Sequence, residues 1–246
     1  MALDFWTKTS GTWINIMTVA TGTTLGLLLK DRLTPRMQRI ITQGIGLITI
    51  WLGFSMAETL NQIKVKNIAG VVIALLAVVI GGVFGEWLEI EEKLASVGDW
   101  LKKSLSRQGR FTEGFVASSL LFCIGPMTII GCLNNGLTGD NALLVIKATM
   151  DGIVSIALAN IYGVGVMASV LVLLIYQGGI SLAAGAIASN LSDPNSSPLV
   201  LIATGVGGLL ILAIGLNLLE ITKIRTASFL PAIAFAVIFQ YLLSSF

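Results

Sequence analysis

A chain of 246 residues of which 55% are hydrophobic and 11% charged, with a net charge of +2, cannot cover itself with polar groups as a soluble domain does, where about a quarter of residues are charged. Histidine is absent and the two cysteines share one apolar stretch, which excludes an imidazole-based metal site and a disulfide framework. The composition is that of an all-α, polytopic membrane protein, in which the placement of Lys and Arg matters more than their sum.

A bilayer core about 30 Å thick needs about 20 apolar helical residues per crossing. Eight such runs follow one another, separated by turn or charge signals. Span 1 is expected near 11–30; its mixed, non-basic approach reads as a permanent helix rather than a signal peptide. Thr34-Pro35 supplies an N-cap and first-turn proline for span 2, near 36–57, and span 3 is expected near 67–89. Residues 91–107 then place Leu94, Val97, Leu101 and Leu105 at helical spacing, with Lys93, Lys102, Lys103 and Arg107 elsewhere on the wheel. That pattern predicts an amphipathic helix on the cytoplasmic membrane surface, with Trp100 at headgroup depth. Spans 4 to 8 are expected near 112–133, 142–162, 165–190, 198–219 (behind Ser197-Pro198) and 227–244. Together they are expected to form a single transmembrane domain over residues 1–246.

Cytoplasmic loops collect Lys and Arg. With both termini outside, eleven of the fifteen basic residues fall in inner segments, among them Arg36, Lys103 and Arg225. Only Lys8, Lys64 and Lys66 fall outside, and Lys147 lies within a span. Sliding the chain on itself at an offset of 162 lays Gly46, Gly53 and Glu58 on Gly208, Gly215 and Glu220, span 3 on span 8, and Asn15 on Gln177. Five crossings separate the partners, so they run in opposite directions. An inverted repeat of spans 1–3 and 6–8 has this pattern; chance alignment of glycine-rich apolar helices is the competing reading.

Ionisable groups inside a membrane are costly and are functional candidates by default. Span 5 carries Lys147 and Asp151 one turn apart on one face, where pairing lowers the cost of burying each; they form either an ion or proton site or a structural staple. Glu113 near the start of span 4 is a third candidate, though an acid there is also what a helix dipole favours at an interface. Gly125-Pro126, ahead of Thr128, interrupts the hydrogen-bond ladder of span 4, and Gln177-Gly178-Gly179 is expected to interrupt span 6 at similar depth. Paired interrupted helices at the midplane are a pointer to a substrate pocket. Asn15, with the threonines of span 1, either lines a polar path or bonds to neighbouring carbonyls. Cys123 and Cys132, about 13 Å apart along an unbroken helix, are too distant for a disulfide. Gly22, Gly26, Gly81, Gly82 and Gly85 predict close helix contacts within the subunit or, in a homo-oligomer, between subunits.

The run from Leu121 through Cys-Ile-Gly-Pro-Met-Thr to Asn135-Gly-Leu-Thr-Gly-Asp140, then Ile146-Lys147 and Asp151-Gly152, resembles the most characteristic block of a bacterial membrane family, domain of unknown function 554. Asn15-Ile-Met-Thr-Val and Gly81-Gly-Val-Phe-Gly-Glu86 resemble its other two landmarks. The resemblance covers nearly the whole chain. It implies a multi-pass protein of the bacterial plasma membrane and draws attention to the Asn135–Asp140 loop and the Lys/Asp helix, without supplying an activity.

The function these features predict is a secondary transporter or channel for a small ion or polar solute; the alternative is a structural or assembly subunit of a larger membrane complex. No nucleotide-binding Gly-x-x-x-x-Gly-Lys-Ser/Thr loop is present. Without histidine the usual serine and metal catalytic sets lack their commonest base, so no enzyme is expected. The expected partners are the bilayer and the solute, with no cofactor, no metal and no nucleic acid.

Overall fold

The computed structural model describes residues 3–30, 32–104, 110–188 and 197–245. Asp4 caps the first helix: its carboxylate accepts the Thr7 N–H at 3.3 Å and its carbonyl accepts the Lys8 N–H at 3.1 Å. With those amides satisfied, α1 runs from Phe5 to Lys30, six residues ahead of the expected start. α2 covers Pro35–Ala57 and continues as a 3-10 turn, Glu58–Gln62. A two-residue hairpin pairs Lys64 with Ala69 and Val65 with Ile68, with Lys66 at φ 53° in its turn. This holds back α3 to Gly70–Trp87, where residues 67–69 had been expected to be helical.

The amphipathic segment forms α4, Ile90–Ser104; Leu105 and Arg107 lie outside the described residues. Span 4 is two helices, α5 (Phe111–Cys123) and α6 (Pro126–Thr138), bent by 62° at Ile124-Gly125. Gly125 adopts φ 149°, a conformation open to glycine. Pro126 has no N–H and takes the first position of the new helix. α6 runs on to Thr138 before Gly139 stops it at φ 78°. Asn135–Thr138 is therefore the last turn of a helix, not a loop. α7 covers Ala142–Tyr162 and ends on Gly163 at φ 73°.

The expected interruption of span 6 is absent. α8 runs unbroken from Gly165 to Ala188 through Gln177-Gly178-Gly179. A glycine, unlike Pro126, keeps its N–H, and in lipid every backbone group is held to its internal partner. α9 (Pro198–Leu218), a 3-10 turn (Thr226–Phe229) and α10 (Pro231–Ser245) follow. Among the described residues seven helices are long and apolar enough to cross a membrane, and an eighth crossing is added if the bent α5–α6 pair counts as one.

The helices gather into two compact units. The first, Met1–Thr42 with Ala95–Pro194, packs α1 along α7 and packs α5, α6 and α8 together. Gly22 and Gly26 bring α1 against the α7 backbone, where a Cβ would strike the carbonyls of Gly152 and Ile156. The second unit, Gln43–Leu94 with Asn195–Phe246, packs α3 on α10 and sets α2 on α9. The α2–α9 contact is crosswise. A Cβ on Gly53 would lie 2.8 Å from the Gly208 carbonyl oxygen, and one on Gly208 would lie 2.7 Å from that of Gly53. Ile50 faces Gly215 as Leu212 faces Gly53, and Ala57 faces Gly208 as Leu219 faces Gly46. In these last two pairs the offset of 162 carries one contact into the other.

Candidate functional site

α7 is apolar over most of its length, so the burial of two charges on it demands compensation. Lys147 and Asp151, 6% and 8% exposed, form an ion pair one turn apart, as the spacing predicts. Asn15 on α1 completes the arrangement: its Nδ2 donates to Asp151 Oδ2 at 2.9 Å, and its side chain is fully buried. The sequence landmark around Asn15 is thereby explained, because close α1–α7 packing is what lets this amide reach across. Thr18 lies against Gly152, and the Ser155 hydroxyl bonds to the Gly152 and Val19 carbonyls.

The remaining elements converge on this level of the unit. Gly131 of α6 packs against Leu144 of α7, so Thr128 and Lys147, each three residues further in the same direction, stand at matching depth. Gly178 of α8 lies 4.0 Å from the Thr12 methyl group by the Cβ it lacks, which puts Gln177 one turn of α1 from Asn15. Cys123, the last residue of α5, is within electrostatic range of both Lys147 and Asp151. Thr12, Asn15, Thr128, Gln177 and Ser181 are all fully buried.

What distinguishes this layer is its unfinished hydrogen bonding. Among the described residues the protein offers no partner to Asn15 Oδ1, to either amide atom of Gln177, or to the hydroxyls of Thr12 and Thr128, nor, on α5, to that of Ser119. A buried polar group without a partner costs about 1–3 kcal/mol, and such groups mark places where water or a bound molecule completes the set. The sequence reading named Asn15, Thr128 and Gln177 but missed Thr12 and Ser119. A hydroxyl on an apolar helix gives no sign of whether its own carbonyl ladder satisfies it, as happens for Ser118, which donates to the Gly114 carbonyl at 2.5 Å.

Glu113 does not join the group. Its side chain is 58% exposed and pairs with Arg110 at 2.6 Å on the first turn of α5. Pro126 contributes through the backbone break. Asn135 holds α6 to the start of α1: its Oδ1 accepts the Gly11 N–H at 3.0 Å and its Nδ2 donates to the Thr7 carbonyl at 2.9 Å. The two cysteines are free and buried, and among the described residues no three His, Cys, Asp or Glu side chains come together as a metal site would need.

The second unit keeps its charges at its edge. Arg225 pairs with Glu86 at 2.7 Å and also with Glu92. Glu91 accepts the Ala227 N–H at 2.7 Å, and Glu86 the Ser228 hydroxyl at 3.0 Å. The Glu92 carboxyl is held below its ordinary value, first by its own backbone N–H and then by Arg225. This unit also has a cleft of about 540 Å³ lined by Trp51, Phe54, Glu58, Asn61, Val71 and Leu209. Its wall is largely apolar, and none of the buried polar residues above belongs to it.

A family model described as protein of unknown function (DUF554) matches residues 10–241. The uncharacterized membrane protein YdfK of Bacillus subtilis is 30% identical over 237 residues, covering 96% of this chain and 97% of that protein. The uncharacterized protein YqgA of Escherichia coli is 31% identical over 235 residues, covering 92% of this chain and 94% of that protein. No solved structure matches.

Proposed function

The chain belongs to the protein family of unknown function DUF554, and from that premise we propose that this membrane protein is a secondary transporter or channel carrying a small ion or polar solute past the Lys147–Asp151 pair. The observation that carries the reading is the layer around the pair, where two buried charges and several unpartnered polar atoms lie within one helix bundle. Packing alone would be served more cheaply by small apolar side chains. The break at Gly125-Pro126 supports the reading, since non-helical backbone at membrane depth is tolerated where it lines a cavity or is buried in protein. The crosswise α2–α9 contacts support an inverted repeat, a plan on which secondary transporters are built.

In reconstituted vesicles Asp151→Asn should abolish solute flux while the protein stays inserted, because shape is kept and the titratable charge goes. Flux at the rate of the unaltered protein in that variant would overturn the reading. The charge distribution also supports a bacterial plasma-membrane protein with both termini outside. Reporter fusions after Arg36 and Lys223 should then score as cytoplasmic and those after Lys64 and Thr138 as external; a reversal at any of the four rejects that orientation.

A further inference from the structure

The chemistry of the layer narrows what it can hold, on the assumption that the transport reading is right. Lys147 and Asp151 cancel one another. An inorganic ion entering beside them would bring an uncompensated charge into a membrane interior, which is costly.

The broken span does not make up the balance for an anion. A helix start binds anions through free N–H groups. At the start of α6, Pro126 has none, and the Thr128 and Ile129 N–H groups both donate to the Gly125 carbonyl. The same proline denies the Phe122 carbonyl its helical partner. For a cation the layer has acceptors, but the Lys147 ammonium already sits on Asp151, the one buried carboxylate among the described residues.

What the layer does offer is a balanced set of uncharged donors and acceptors. Gln177 presents both ends of its amide, fully buried and unpartnered; Asn15 Oδ1 is an acceptor; the Thr128 hydroxyl serves either way. A leucine would fill nearly the same volume as Gln177 without leaving a buried amide unpaired. We propose that the layer binds a small uncharged solute bearing both hydrogen-bond donors and acceptors, of the amide or polyol class, and that Gln177 recognises it by a two-point contact. The solute's N–H or O–H meets Oε1 and its oxygen meets Nε2. Asn15, already fixed by its bond to Asp151, supplies the neighbouring acceptor, so the pair acts on the solute by holding that amide in place.

Stopped-flow light scattering of proteoliposomes facing a gradient of urea or of glycerol tests this, with sodium, potassium and chloride fluxes measured on the same vesicles. The unaltered protein should pass one or both neutral probes, and Gln177→Leu should lower that permeability about tenfold, as loss of a solute hydrogen bond implies. Its melting temperature should be unchanged or raised, because no protein partner is lost. Gln177→Asn, which keeps the amide, should retain more of the permeability than the leucine variant. Asp151-dependent ion flux without passage of urea or glycerol overturns this inference and leaves the transport reading standing. Neutral-solute passage indifferent to Gln177→Leu overturns the recognition role alone, and vesicles that pass nothing overturn both readings.

Discussion

The two units solve one problem, how to pack helices closely in a membrane, with different materials. In the second, α2 and α9 meet over four glycines whose missing Cβ atoms let backbone touch backbone. Its formal charges stand at the margin, where Arg225 and its glutamates are about half exposed. In the first, glycines also draw α1 onto α7, yet the space so closed contains an ion pair, a carboxamide bonded to it and several polar atoms with no protein partner. The second unit leaves Thr204 Oγ1 and Gln240 Oε1 buried without a partner. The first leaves more such atoms and sets them in the unit that holds a buried ion pair, and this contrast supports placing the proposed site there independently of any resemblance.

The contrast can be broken most forcefully at the pair. Lys147→Met leaves Asp151 charged and buried with Asn15 as its remaining polar partner, which should destabilise the protein by about 3–5 kcal/mol. Replacing both charges, with Lys147→Met and Asp151→Leu together, should return most of that stability, because apolar substitutes for a buried pair are often neutral or stabilising. The double variant should nevertheless move no solute. Thermal unfolding of the detergent-purified proteins reads the first two outcomes and vesicle flux the third. A double variant that is folded, stable and active would mean that the pair is dispensable.

The glycine seam of the second unit should respond to size. In Gly53→Ala the new methyl group would lie 2.7 Å from the Leu212 backbone nitrogen, and in Gly215→Ala, its counterpart at the offset of 162, 3.0 Å from that of Ile50. Backbone cannot step aside as a side chain can, so each change should cost roughly 1–3 kcal/mol, and the crosswise contacts require the two losses to be similar. Gly44→Ala on the same helix meets nothing within 4 Å and should stabilise by up to about 1 kcal/mol through helix propensity. Unequal losses at Gly53 and Gly215 would argue against the symmetric contact.

Much of this architecture is legible in the sequence because it follows from one-dimensional patterns. Apolar runs give the crossings, a one-turn spacing gives the Lys147–Asp151 pair, and Gly125-Pro126 gives the break. The errors arise where two residue types share a reputation for breaking helices but differ in mechanism. Pro126 removes a donor and ends α5; Gly178 and Gly179 remove only side chains, and α8 continues through them. Glu113 was open to two readings, a site candidate or an interfacial acid at a helix start, and its exposure and its pairing with Arg110 fit the second. The partners of Asn15 and Asn135 lie 136 and 124 residues away, beyond any local pattern. The unpartnered hydroxyls are defined by what neighbouring helices fail to supply, and no spacing rule encodes that.

The smallest expected effect concerns the charges at the edge of the second unit. The Glu92 carboxyl lies below its ordinary value of 4.5, through its own backbone N–H first and Arg225 second. A group held lower in the folded state contributes stability that is present above its ordinary value and is lost as pH falls through the folded one. Arg225 is shifted the other way, upward, chiefly by its bond to Glu92. It stays charged throughout that window, and its own contribution would fade only in strongly alkaline solution. The acid side is therefore set by the carboxylate. Arg225→Gln should lower the melting temperature slightly near neutrality and bring the two proteins together as the solution is acidified past the range where Glu92 titrates. Because the side chains of Arg225 and Glu92 are 44% and 51% exposed, added salt should shrink the neutral-pH difference. A gap between variant and parent that stays constant from neutral to acid pH would show that Arg225 contributes through packing of its stem and not through its charge.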